Sequence, residues 1–185
     1  MFRIISKWLL DLGGWTIKGV IPPDSKKAVI IAAPHTSMWD FVIGRLAYGV
    51  IGVKVKFLIK KEIFFFPLGP VLKWLGGLPV DRSRSGNMVQ HVASMFEKSD
   101  SLFVVITPEG TRKPNPRWKR GFYYIAQRAN LPVALGYIDY GKKEGGIGKV
   151  MELSGDIDRD MEEIKRFYLG MTAKHPEKFV TGLED

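Results

Sequence analysis

The sequence predicts an α/β fold, a mostly parallel central sheet flanked by helices, with a short amphipathic helix at the N-terminus. Three observations carry this. Residues 28–33 (AVIIAA), 102–106 (LFVVI) and 132–138 (PVALGYI) are short, continuous, β-branched apolar runs, the pattern of strands buried on both faces. Stretches of helical periodicity lie between or beside them, over residues 38–51, 86–98 and 121–130. Strands that alternate with helices form βαβ units, and those units build parallel sheets.

The elements follow in chain order. In MFRIISKWLLDL, Phe2, Ile5, Leu9 and Leu12 recur at helical spacing beside Trp8, with Arg3, Ser6, Lys7 and Asp11 mostly opposite. Residues 1–20 are therefore an amphipathic segment that either lies in a membrane interface, with Trp8 and Trp15 at headgroup depth, or packs on the domain core. A short strand is expected at 55–59, followed by the aromatic, proline-broken segment 63–75, read as mostly ordinary core, with an acyl-chain tunnel or membrane-facing patch as the alternative. GKKEGGIGK at 141–149 fails as a phosphate loop, because Lys143 stands where a Walker loop needs glycine and Val150 where it needs Ser or Thr. It reads as a flexible hairpin turn leading into 150–153, and residues 158–169 read as a surface helix.

With 185 residues, 45% of them hydrophobic, the chain fits one domain (1–185) with a sizeable core. Its lack of cysteine excludes thiolate catalysis, disulfides and zinc–thiolate sites, and suits a reducing compartment. The net charge of +9 favours an anionic partner, whether a membrane surface, a phosphorylated substrate or nucleic acid. The basic residues are scattered, with one denser stretch at 112–120, and are not interleaved with aromatics as in a nucleic-acid binding module, so no nucleic acid is expected. No apolar run reaches the roughly 18–20 residues of a spanning helix. The longest, 63–78, is interrupted by Pro67, Pro70 and Lys73, and the N-terminus lacks a signal-peptide pattern. The expected location is peripheral, on the cytoplasmic side of a membrane.

Two constellations directly follow buried strands, where α/β sheets place ligand-binding residues. The first is Pro34-His35-Thr36-Ser37-Met38-Trp39-Asp40. Residues five apart do not share a helix face, so His35 and Asp40 meet only if His35 is in the loop and Asp40 in the first helical turn. Ser37-x-x-Asp40 supplies that start as a capping pattern. Asp40 then either receives a backbone N–H of the cap or accepts the imidazole N–H and leaves the other ring nitrogen basic. The second is Thr107-Pro108-Glu109-Gly110-Thr111-Arg112, in which Gly110 permits a tight turn and Arg112 offers a planar fork for phosphate or carboxylate. Between them, Gly76 to Arg82 pairs close-approach glycines with a second arginine, Arg82.

These blocks, in this order, resemble the glycerolipid acyltransferases, the family that includes lysophosphatidic acid acyltransferase. HTSMWD matches its His-x4-Asp motif, Gly76 to Arg82 its second block, Glu109-Gly110-Thr111-Arg112 its third and Leu131-Pro132-Val133 its fourth, over roughly residues 28–137. The resemblance implies a glycerolphosphate-acyltransferase-like fold, His35 as general base and Asp40 as its orienting partner. It implies that Arg82, Glu109, Gly110, Thr111 and Arg112 bind substrate, with no metal and no cofactor beyond the donor. The donor would be acyl-CoA or acyl-carrier protein, and the acceptor a lysolipid, first of all 1-acyl-glycerol-3-phosphate. Pro34 stands where the family often has Asn, and Pro79 where its second block usually has an aromatic, both on the acceptor side. Rival readings are the same chemistry on a lyso-ornithine lipid, another lysophospholipid or a glycolipid, a thioesterase, and a non-catalytic membrane or nucleic-acid binding protein.

Overall fold

The computed structural model describes residues 1–19, 21–22, 25–81 and 85–183. Helix α1 (Phe2–Leu12) leads into strand β1 (Thr16–Lys18), and β2 (Lys27–Ala33) precedes helix α2 (Trp39–Ile51). Strand β3 (Val55–Lys60), a 3-10 turn (Lys61–Ile63), helix α3 (Leu68–Trp74), β4 (Gly77–Val80), α4 (Ser85–Glu97) and β5 (Leu102–Ile106) come next. Helix α5 (Gly121–Ala129), the hairpin β6 (Val133–Asp139) and β7 (Glu144–Met151), and helix α6 (Ile157–Tyr168) complete the main elements. The strands form one sheet in the order β1-β7-β6-β2-β5-β3-β4. Every neighbouring pair is parallel except β6 and β7, as the predicted fold class requires.

The apolar runs explain the layering. β2 lies between β5 and β6, and Val29, Ile30 and Ile31 are fully buried because both faces are covered. On one face Val29, Ile31, Val104 and Leu135 pack with Phe122 and Ile125 of α5 and with Met161, Ile164 and Tyr168 of α6. On the other, Ile30, Phe57, Val105 and Ala134 pack with Tyr48 of α2. Helix α6 is thus half-buried, and the Asp156 carboxylate caps it by accepting from Asp158 N and Arg159 N.

Two expectations change, and a third element meets one of its two alternatives. The glycine-rich stretch 141–149 is mostly strand β7, with the turn ending at Lys143. Its glycines serve close packing rather than flexibility: a Cβ on Gly146, which has φ +144°, would lie 1.8 Å from Lys18 O, and one on Gly148 would lie 2.5 Å from the Phe167 ring. Segment 63–75 is not core, since Phe65, Phe66, Val71 and Trp74 are exposed, Phe66 to 86% and Trp74 to 80%. Helix α1 does pack on the domain, but by a narrow face, with Ser6 and Leu10 buried and the Phe2 ring against Gly49 of α2. Ile4, Trp8 and Leu12 stay exposed, Trp8 to 62%. The Arg45 guanidinium lies 4.3 Å from the centre of the Phe2 ring, and its Nε donates to Leu75 O, which brings α1 beside the end of α3.

Candidate active site

Parallel pairing of β2 and β5 puts Ile31 beside Ile106, so the chains that continue from them emerge together at one edge. His35 lies four residues past Ile31 and Glu109 three past Ile106, which brings the two sequence blocks into contact. The Glu109 Oε1 accepts a hydrogen bond from His35 N at 2.7 Å. Gly110 has φ +69° and turns the chain directly after it, while Asn115 Nδ2 donates to Glu109 O at 2.8 Å.

Asp40 takes the backbone N–H groups of the loop and lies beside the imidazole. Its Oδ2 accepts from Thr36 N at 2.7 Å and Ser37 N at 2.8 Å, and lies 3.3 Å from His35 Nδ1. That last distance is at the long edge of hydrogen bonding. The Ser37 side chain does not make the expected cap, since the helix begins after Met38 with no side-chain cap bond. The Ser37 Oγ accepts instead from Trp39 N at 3.2 Å.

The other oxygen of Asp40 is held by a residue that the sequence reading missed. Tyr140 OH donates to Asp40 Oδ1 at 2.8 Å, from the turn between β6 and β7. The Tyr140 ring packs edge-on against Trp15, with 5.0 Å between centroids. Its one signal in the sequence is position: it follows β6, the strand on the other side of β2.

The electrostatics separate the two carboxyls. Burial raises the Asp40 pKa, but hydrogen bonds from His35, Ser37 N and Tyr140 outweigh it, so the carboxyl sits below its ordinary value and stays ionised. Glu109, 2% exposed, is pushed up to about 8, first by burial and further by the charge of Asp40, against the lowering bond from His35 N. At neutral pH the protonated form of Glu109 prevails, so one carboxylate rather than two faces His35.

This has a consequence for stability. Between pH 4.5 and about 8 the folded chain retains a proton on Glu109 that the unfolded chain releases, so its contribution falls as pH rises through that window. Glu109→Gln keeps an acceptor for His35 N and removes the titration. Relative to wild type, the variant should gain a few kcal/mol between pH 5 and 8, on the order of 1.4 per pKa unit. Urea unfolding at several pH values measures this, and curves that stay parallel throughout would refute it.

His35, Asp40, Gly110, Thr111 and Arg112 all line one cavity of about 460 Å³. Glu109 is not among its lining residues, and its carboxyl is turned to the His35 backbone. Arg82 lies outside the described residues. The remaining wall is largely apolar, with Phe41, Phe57, Leu58, Ile59, Leu68 and Leu72. Among the described residues no three His, Asp or Glu side chains converge as a metal site would require.

No curated protein matches the chain by sequence. Its fold is similar to the crystal structure of the 1-acyl-sn-glycerophosphate (LPA) acyltransferase PlsC from Thermotoga maritima. The TM-score is 0.62 at 15% identity, covering 90% of this chain and 76% of that one. The model of the family described as Acyltransferase matches residues 16–135, more than half of the chain. The resemblance read from the His35–Asp40 and Glu109–Arg112 blocks is thereby borne out at the level of family and fold. The chain belongs to the acyltransferase family.

Proposed function

We propose that the protein transfers a fatty-acyl group from an acyl-CoA or acyl-carrier-protein thioester to the hydroxyl of a lysolipid, with 1-acyl-glycerol-3-phosphate as the first acceptor. One observation carries this reading: His35, backed by ionised Asp40, opens on an apolar cavity that Arg112 also lines. An Nδ1–H directed at Asp40 leaves Nε2 unprotonated and able to act as a base. As the acceptor oxygen attacks the thioester carbonyl carbon, Nε2 takes its proton. When the tetrahedral adduct collapses and the C–S bond breaks, the imidazolium returns that proton to the leaving thiolate. No acyl-enzyme forms. Arg112 binds the acceptor's phosphate by charge-assisted hydrogen bonds, which orients the hydroxyl toward His35. Glu109 and Tyr140 act on the loop and on Asp40 rather than on substrate.

The setting is a membrane surface. Ile4, Trp8 and Leu12 of α1 and Phe65, Phe66 and Trp74 around α3 expose large apolar side chains on elements joined through Arg45. Among the described residues no helix is long and apolar enough to cross a membrane, and the net charge of +9 favours an anionic surface. The test offers the purified protein lysophosphatidic acid with acyl-CoA or acyl-carrier protein and follows product by mass spectrometry. Arg112→Ala should raise the KM for the phosphorylated acceptor by about 10-fold or more, the scale of a hydrogen bond to a charged group, and leave the donor KM unchanged. A variant that weakens only the donor would reassign this arginine.

A further inference from the structure

Helix α2 presents Asp40, Phe41, Gly44, Ala47 and Tyr48 to the cavity, positions that share one helical face. Gly44 and Ala47 leave a groove between the catalytic end and Tyr48. Among the described residues no group bonds the Tyr48 hydroxyl, and only Ser6 Oγ is both sealed from solvent and unpartnered. The Tyr48 hydroxyl is therefore reached from the cavity that Tyr48 lines, although the residue as a whole is 5% exposed. The hydroxyl occupies the space that a side chain on Gly136 would take, since a Cβ there would lie 2.8 Å away. Burial pushes the phenol pKa up, so it remains a neutral O–H donor. Its hydrogen-bond partner must then come from whatever fills the cavity, a need that phenylalanine in the same space would not have. The unpaired group thus fits a ligand that brings the missing acceptor.

We propose that Tyr48 determines specificity within the lipid chain site, its hydroxyl donating to an oxygen substituent, a hydroxyl or keto group, borne along the chain. This deepens the reading of the cavity as the site of a lipid chain and depends on it. Tyr48 is eight residues beyond Asp40, about 12 Å along the helix axis at 1.5 Å per residue, with its side chain leaning back toward the N-terminal end. Gly136, against which the hydroxyl lies, pairs with Ala32, three residues before His35. The subsite is therefore displaced from the reacting carbonyl and faces the interior of a chain. That chain belongs either to the acyl donor or to the lysolipid.

Calorimetric titration separates these sources without requiring turnover. One arm compares two non-transferable thioether analogues of an acyl-pantetheine, of equal length, one plain and one set hydroxylated at successive carbons. The other arm does the same with lysophosphatidic acids. Wild type should bind one hydroxylated chain about 3- to 10-fold more tightly than the plain one, the range of a neutral hydrogen bond, and the arm that shows it names the source. Tyr48→Phe should erase that preference while binding the plain chain as well as wild type does, with a melting temperature close to that of wild type. Equal affinities for plain and hydroxylated chains in both arms would overturn the Tyr48 proposal alone. Failure of every chain to bind would overturn it together with the lipid reading of the cavity. A preference that survives in Tyr48→Phe would assign the selectivity elsewhere.

Discussion

Replacing His35 by alanine is expected to lower kcat for acyl transfer by about 10²- to 10⁴-fold, the usual contribution of a positioned general base. The loss should fall on kcat rather than on either KM, because in the proposed mechanism Arg112 and the apolar wall, not the imidazole, hold the substrates. Stability should change little. The side chain is 22% exposed, and the backbone N–H that bonds Glu109 is retained in alanine. Steady-state kinetics on a variant with an unchanged unfolding midpoint gives the answer, and wild-type turnover in His35→Ala would refute the mechanism.

The second large effect lies at Asp40, where activity and folding should fail together. Asp40→Ala deprives Thr36 N, Ser37 N and Tyr140 OH of their acceptor. Each buried donor left unpaired costs about 1–3 kcal/mol, so the variant should lose roughly 3–5 kcal/mol, a large part of the total stability of an ordinary domain. Asp40→Asn separates the two roles. Its remaining carbonyl oxygen can still accept backbone N–H groups, but its amide no longer offers His35 a carboxylate. Asn should therefore recover much of the stability by urea unfolding while kcat remains depressed by about 10²-fold or more, as when a triad carboxylate becomes an amide. Full recovery of kcat in Asp40→Asn would confine the carboxylate to a structural role.

The parts of this fold that are legible in the sequence are those governed by local pattern. Runs such as AVIIAA and LFVVI can be little else than strands covered on both faces, and their carboxyl ends locate the two motifs. β7 escapes that reading because its glycines meet neighbouring backbone and the Phe167 ring, which no local pattern records. β1 is three residues long and holds its place by pairing with β7, so neglect of one strand hides the other. Segment 63–75 misleads for a different reason. An aromatic run is ordinarily core, and here the domain turns several of those side chains outward.

In the site, His35 and Asp40 are legible as a pair, but not the means by which they are held. Glu109 belongs to a recognisable block whose resemblance implies substrate contact, whereas its buried carboxyl bonds a backbone N–H. Tyr140, an aromatic at the end of an apolar strand, resembles any core residue until β6 is placed beside β2.

The hydrogen bonds from His35 to Glu109 and from Tyr140 to Asp40 join residues 74 and 100 positions apart. During synthesis, a chain that has emerged only as far as Arg112 contains both motifs yet lacks the hydroxyl that holds Asp40. Contacts of such separation form late, after the loops they close have been ordered. The anchoring of Asp40 is therefore complete only with the β6–β7 hairpin, and a chain truncated ahead of it would carry the His35–Asp40 and Glu109–Arg112 blocks without the hydroxyl that holds the Asp40 carboxylate.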